Sequence, residues 1–393
     1  MKVSIVSETY WPELNGLSMT LQQLINGLIE KEHHLQLICP SNKQRFFNIS
    51  DRYFQYTPVV GIPVPGYKGK RIGFSTGRYL GNCWNKNQPD IIFVASEGLL
   101  GRLAVSQAKK MGIPVVSAFN YNISSYSNYF QVAYLKKIIK NYQVRTHHKS
   151  QTTLVSTDSQ KEFVKHLGMD NVQKLARGVD TTLFTPDKRD QVLRASWGVD
   201  EESKVLLFVG RMSLKKNLNL AIRTYYTLSK LDANIKFVFV GDGPDKEVLQ
   251  RQHPQFIFAG IRIGEELAKY FASCDIFLLP SMNEHYGNVV LEAMASGLGV
   301  VAFNHAAAKE HIQHKVNGIV APFNFPNDFR LLAMEFLENE MLLQKTKIKA
   351  REYAETQQWQ DIVNQFENIL EANIRLGMNN EVYPGLSEVK YEN

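Results

Sequence analysis

Glu284 and Glu292 are separated by seven residues in the stretch Glu-His-Tyr-Gly-Asn-Val-Val-Leu-Glu, and carboxylates at that spacing suit hydroxyl recognition. The apolar run Ile276–Pro280 before them reads as a buried strand, Ser281–Tyr286 as the loop at its carboxyl end, and Asn288–Ala295 as the helix that follows. Eight residues of helix rise about 12 Å, so the two carboxylates are too far apart to share a metal ion or a proton. Between them Gly287 lets backbone approach a ligand closely, and the helix start offers unpaired N–H groups and partial positive charge to an anion. Two carboxylates flanking an anion site fit a nucleotide sugar, with hexose and ribose at the ends and the diphosphate between. Taken alone, Glu284 also reads as a solvated loop charge and Glu292 as a helix-surface charge.

A second set of charges lies upstream. Arg211 and Lys216 bracket the loop after the strand Lys204–Val209, just before a helix opened by Asn217. Arg as a planar fork and Lys as a point charge can clamp a diphosphate there.

These residues resemble retaining glycosyltransferases of the group-1 or family-4 type. Glu284 and Glu292 match that family's E-x7-E signature, and Arg211-Met212-Ser213-Leu214-Lys215-Lys216-Asn217 is similar to its Gly-Arg-x-x-x-x-Lys-Asn segment, with Lys215 in place of the common Glu. The resemblance implies that Arg211 and Lys216 stabilise the departing nucleoside diphosphate. It places Tyr286, Gly287, Asn288 and Val289 against the donor, Glu284 on its sugar, Glu292 on its ribose, and Ile261 and Arg262 at the nucleobase. In the first loop Asn15-Gly16 stands where Gly-Gly is usual and faces the donor diphosphate; Asn tolerates positive φ, while its side chain adds bulk there. Asn120-Tyr121 stands where a His-Thr pair is common, followed by Asn122, Tyr126 and Tyr129. Asn cannot act as a base, yet it can orient a sugar while the donor's own phosphate takes the acceptor proton. Asn304–His311 resembles the Ala-Ala-rich segment of GDP-mannose-dependent α-mannosyltransferases and their sulfolipid-synthase relatives, and Gly299 occupies a position where proline is commoner.

The elements that must hold these residues alternate strand and helix along the chain, which predicts two doubly wound α/β domains. The resemblance implies the GT-B fold, two Rossmann-like domains facing across a cleft. An acceptor-binding domain is expected over 1–178, completed by a C-terminal helix at about 358–376, with a nucleotide-sugar-binding domain over 179–357 and a loose tail over 377–393. The passage Leu175–Pro186 marks the boundary. Strands are expected at Lys2–Ser7, Pro89–Val94, Ile113–Phe119 and Leu154–Thr157, and helices at Leu17–Lys31, Gly98–Met111 and, capped by Asp158, Ser159–Leu167. Late helices are expected over Phe329–Leu342 and Lys347–Leu376. Residues 41–88 are poorly patterned and interleave Lys43, Arg45, Arg52, Lys68, Lys70, Arg71 and Arg78 with aromatic residues, a mixture suited to lipid headgroups or to ordinary surface loops. Tyr129–Lys149 reads as a basic amphipathic helix. His33 and His34 read as structural, since no further ligand is spaced with them for metal.

Within 393 residues there are three cysteines, Cys39, Cys83 and Cys274, scattered through apolar runs, which fits buried thiols in a reducing compartment. No apolar run approaches the roughly 20 residues of a spanning helix. The net charge of +7 is uneven: residues 1–186 hold 22 basic and 11 acidic side chains, leaving 23 and 27 for the remainder. That asymmetry calls for an anionic partner; with no nucleic-acid motif present, a membrane surface is the reading preferred over nucleic acid, and a merely basic domain is the plain alternative. The expectation is a retaining hexosyltransferase moving mannose from GDP-mannose to a lipid or lipid-linked glycan, cytoplasmic and peripheral at the inner membrane face. No Asp-x-Asp pair follows a strand, so no metal and no cofactor are expected. The alternatives are a UDP-sugar-dependent transferase of the same fold, a non-catalytic nucleotide-sugar-binding protein, and an NAD oxidoreductase, disfavoured because no Gly-x-Gly-x-x-Gly follows the first strand.

Overall fold

A computed structural model describes residues 1–13, 15–41, 52–64, 71–120, 141–213, 216–282 and 287–382, the last five without their side chains. The chain divides into two compact units, Met1–Ala176 with Gln360–Asn393, and Arg177–Trp359.

In the first unit eight strands form one sheet: β1 (Lys2–Val6), β2 (His34–Pro40), β3 (Phe54–Pro63), β4 (Arg71–Phe74), β5 (Ile91–Val94), β6 (Val115–Ala118), β7 (Thr152–Val155) and β8 (Val172–Lys174), in the order β4-β3-β2-β1-β5-β6-β7-β8. All neighbours are parallel except β3 and β4. Runs such as Ile91–Val94 are buried throughout, as strands covered on both faces must be. Helices α1 (Gly16–Glu30), α2 (Gly77–Lys86), α3 (Leu99–Lys110) and α4 (Asp158–His166) connect them. The stretch that looked unpatterned holds β3, β4 and α2. Its period-two signal is hidden because Val59 and Val60, one buried and one exposed, are both apolar, and Pro58, Gly61 and Pro63 break the run. The cap of α4 is Thr157, whose side chain accepts from the Gln160 N–H at 3.2 Å, one residue before the expected Asp158. Of the expected basic helix, residues 141–147 are helical and 121–140 lie outside the described residues.

A last helix, α13 (Trp359–Val382), returns to this unit and runs past the expected end at 376; residues 383–393, the rest of the expected tail, lie outside the described residues. Phe366 meets Phe93 edge-on at 4.8 Å, and a Cβ on Gly27 would come within 2.6 Å of the Val363 side chain, so α13 seats Val363 directly on the backbone of α1. His33 Nε2 lies 2.6 Å from Glu367 Oε1 and Lys31 Nζ 2.5 Å from Oε2. His33 thus takes the structural part expected of it, through a carboxylate 334 positions away that no local spacing reveals.

The second unit is a six-stranded parallel sheet: β9 (Val205–Val209), β10 (Lys236–Val240), β11 (Ile257–Gly260), β12 (Ile276–Leu279), β13 (Gly299–Phe303) and β14 (Ile319–Ala321), ordered β11-β10-β9-β12-β13-β14. Its helices are α5 (Gln191–Ser196), α6 (Leu218–Leu228), α7 (Lys246–Gln252), α8 (Gly264–Ala272), α9 (Asn288–Ala295), α10 (Ala306–His311), α11 (Pro326–Glu338) and α12 (Glu340–Glu355). Alternate strand residues feed two cores, Leu207, Phe277 and Val300 on one face and Leu206, Leu278 and Val301 on the other. Gly299 leaves room that Leu343 and Phe336 fill, since a Cβ there would come within 2.4 Å of Leu343. The late helices divide differently from expectation: Asn339 ends α11 and caps α12, its side chain accepting from the Leu342 N–H at 2.9 Å. Below the sheet Arg194, fully buried, and Arg189 share Asp275 at 3.2 and 3.1 Å, which ties α5 to the start of β12. No helix among the described residues is long and apolar enough to cross a membrane.

Candidate active site

In a doubly wound sheet, ligands bind at the carboxyl ends of the two strands where the winding reverses. In the second unit these are β9 and β12, adjacent in the sheet although three strands apart in the numbering. Arg211 and Lys216 follow β9; Gly287, Asn288, Val289 and Glu292 follow β12. Neighbouring backbone shapes the first loop. Gly210 sits at φ +145, Gly241 would place a Cβ 2.1 Å from the Gly210 carbonyl, and Gly243 one 2.1 Å from the Met212 carbonyl, so the β9 and β10 loops pack main chain on main chain. The Met212 N–H donates to Asp242 O at 2.9 Å, and the Asn217 Nδ2 donates to Pro280 O at 3.2 Å, joining the β9 loop to the end of β12.

Both helices at this edge start without a side-chain cap, α6 behind Asn217 at φ +55 and α9 behind Gly287 at φ +72. With no such cap, the positively polarised N–H end of each helix is the part that favours an anion. Gly287 is required twice over, by its left-handed backbone and because a Cβ would lie 2.3 Å from that of Ala307 in α10. This accounts for one residue of the alanine-rich segment: a larger side chain at 307 would push on the turn that opens α9. Asn288 Oδ1 is buried and accepts no hydrogen bond among the described residues. Glu292 is only 9% exposed, so the reading of it as a helix-surface charge falls. Glu284 and Tyr286 lie outside the described residues. Ile261 and Arg262 follow β11 at the edge of the sheet, both exposed, with the Arg262 guanidinium 5.5 Å over the Tyr270 ring.

In the first unit the winding reverses between β1 and β5. Asn15 precedes α1 in an extended conformation at φ −148, so the tolerance of positive φ expected to matter there is not used. Its Oδ1 accepts from the Ser18 N–H at 3.0 Å and its Nδ2 donates to Thr9 Oγ1 at 2.8 Å, which turns the side chain into the helix cap beside Gly16. Asn120, at the end of β6, is 4% exposed; its N–H donates to Glu97 Oε1 at 2.6 Å and its Nδ2 to the Ala95 carbonyl. That leaves Oδ1 and the second Nδ2 hydrogen as the groups with which the side chain can meet a hydroxyl.

Two carboxylates at this edge were missed from sequence. Glu8 accepts from the Leu100 N–H at 3.0 Å and from the Gly73 N–H, filling the start of α3 with an internal anion; a Cβ on Gly98 would lie 2.1 Å from it. Glu97 receives Asn120 and the Gln143 amide, with buried His147 Nε2 at 3.6 Å and His147 Nδ1 2.8 Å from Ser117 Oγ. Their signal is an acidic residue one to three positions beyond an apolar strand, informative only once strand order is known. Arg102 lies over the Tyr142 ring at 4.5 Å, and burial, partly opposed by Arg102, raises the Tyr142 pKa. Burial also raises the thiols of Cys39 and Cys274.

The family profile described as Glycosyl transferases group 1 matches residues 189–356, and that described as Glycosyltransferase Family 4 matches residues 14–183. A GDP-mannose-dependent alpha-mannosyltransferase of Mycobacterium tuberculosis is 27% identical over 82% of this chain and 84% of its own length. The alpha-monoglucosyldiacylglycerol synthase of Streptococcus pneumoniae is 25% identical over 81% and 74%. The Anabaena protein HepE, solved in complex with UDP, superposes with a TM-score of 0.77 at 16% identity over 95% of this chain and all of its own, which shows the fold. Two family domains filling most of the chain, each wound on a largely parallel sheet, make this protein a glycosyltransferase of the group 1 and family 4 type with the GT-B fold.

Proposed function

We propose that the protein transfers a hexosyl group with retention of anomeric configuration, mannose from GDP-mannose, to a lipid or lipid-linked glycan at the inner membrane face. The observation that carries this reading is the pair of uncapped helix starts, α6 and α9, at the reversal of the second sheet beside Arg211, Lys216 and buried Glu292. Such an edge suits a nucleoside diphosphate, whose charge the two cations and the helix N–H groups neutralise without a metal. In the proposed step the bond from sugar C1 to the diphosphate oxygen breaks as the acceptor oxygen bonds C1 on the same face, and the acceptor proton passes to the departing phosphate. Glu284 receives sugar hydroxyls, Glu292 the ribose hydroxyls, and the acceptor-only Oδ1 of Asn120 orients the sugar. The mannosyl donor is supported by likeness to the mycobacterial enzyme and the lipid acceptor by likeness to the diacylglycerol glucosyltransferase.

The second reading is a UDP-sugar-dependent, glucosyl-type transferase of the same fold, whose glucosyl part is supported by likeness to the alpha-monoglucosyldiacylglycerol synthase over a similar share of the chain. A thermal-shift panel of GDP, UDP, ADP and their sugars separates the two, because a ligand at a hundred times its dissociation constant adds about 2.7 kcal/mol. Stabilisation by GDP and GDP-mannose alone supports mannosyl transfer. Preference for UDP moves the donor, and the absence of any shift refutes both.

A further inference from the structure

The β3–β4 hairpin carries apolar side chains on its solvent face. Val60 pairs with Phe74 and Ile62 with Ile72, and directly opposed residues of an antiparallel pair project to the same side. These four are 65, 54, 52 and 38% exposed respectively, whereas Val59, Gly61 and Gly73 between them are buried. The inner face is already packed: a Cβ on Gly61 would meet Pro40, and one on Gly73 would meet Leu100. Because β4 ends the sheet, this face is an edge, where water-exposed sheets ordinarily place polar or charged residues. Tyr79, 43% exposed, continues the patch, its hydroxyl donating to Pro58 O at 3.3 Å. A contiguous apolar surface of this kind marks a place of contact.

Charge identifies the partner. Residues 52–157 contain fourteen Lys and Arg and only two carboxylates, Asp90 and Glu97. Glu97 is buried and Asp90 is bonded to the Lys2 N–H, while Arg78, exposed, follows Phe74 at the start of α2. A polyanion would use the cations and have no use for exposed Val60, Ile62, Ile72 and Phe74. A second copy would use the apolar face against the repulsion of two basic segments. A bilayer with anionic headgroups uses both. We propose that the β3–β4 hairpin is the membrane-docking face of this protein, its four apolar side chains entering the headgroup boundary of an anionic bilayer and exposed cations of this segment, Arg78 first, meeting lipid phosphate. This deepens the lipid-acceptor reading without standing on it, since vesicle binding is scored without transfer.

The test is flotation of the full chain with phosphatidylcholine vesicles and with vesicles half phosphatidylglycerol. The wild type should float with the anionic vesicles alone. A variant combining Val60→Ser, Ile62→Ser, Ile72→Ser and Phe74→Ser should bind them at least about tenfold more weakly, as loss of buried apolar area at an interface requires. A far-UV circular-dichroism spectrum and a melting curve that match the wild type over both units show that the variant folds. In a separate variant, Phe74→Trp, emission should move to the blue and be quenched by brominated lipid. The proposal is overturned if the wild type ignores anionic vesicles or binds both kinds equally. It is also overturned if the fourfold variant binds unchanged, if the Trp emission stays put on bound vesicles, or if the substitutions instead dissolve a dimer or abolish RNA binding. Vesicle binding with no sugar transfer would leave docking intact and remove the proposed reaction.

Discussion

Gly287→Ala tests whether the turn opening α9 is as constrained as the geometry states. An L-residue at φ +72 costs about 1–2 kcal/mol. The new Cβ would start 2.3 Å from the Ala307 Cβ. Ordinary carbon contacts lie at about 3.5–4.0 Å, so the turn or α10 must shift by more than about 1 Å. Overpacking of that kind adds about 1–3 kcal/mol. The sum, about 2–5 kcal/mol, lowers the melting temperature of a unit this size by roughly 5–15 °C. Because the displaced element holds the helix start, transfer should fall by up to about 10²-fold. The companion variant Ala307→Gly removes only the clash, so the double variant should be less destabilised than the sum of the singles by about 1–2 kcal/mol. Thermal unfolding of the four proteins, with and without nucleotide, measures both terms. A Gly287→Ala protein melting within a degree of the wild type, or strict additivity in the cycle, would refute the packing argument.

Arg211→Ala and Lys216→Ala should each lower the transfer rate by about 10²–10³-fold, since in the proposed reaction their charges act on the leaving diphosphate; equal turnover would remove them from the site. Glu284→Ala should abolish transfer with the fold intact, and retained activity would refute that assignment. Asp275→Ala strands the buried Arg194 guanidinium and should cost about 3–5 kcal/mol, measured by thermal unfolding; a loss under about 1 kcal/mol would show that the pair contributes little. Burial raises the Glu367 pKa, but bonds from Lys31 and His33 outweigh it, leaving the carboxyl below its ordinary 4.5. Its contribution is therefore present above that value and lost as pH falls through the lower folded pKa, so the protection factors of α13 amides, taken relative to intrinsic exchange at each pH, should fall in acid. In Glu367→Gln that acid response should shrink, and an unchanged response would place its cause elsewhere.

Runs of buried apolar residues such as Ile276–Leu279 and the glycine and charge positions after them are local facts, so sequence alone determined the parallel α/β character, the helix Asn288–Ala295 and the candidate anion edge. The likeness of these motifs to a family carried the glycosyltransferase identity as well. Three things depended on tertiary structure. Strand order decides which loops meet, and only that order shows Glu8 and Glu97 at the reversal of the first sheet. Burial depends on neighbours brought from far along the chain, which is why Glu292 ceases to look like a surface charge and His33 finds Glu367. The β3–β4 hairpin was illegible because a strand with apolar residues on both faces has no alternation to read. Which face meets the core is set by the packing of Pro40 and Leu100 beneath it, a relation between segments that no single stretch encodes.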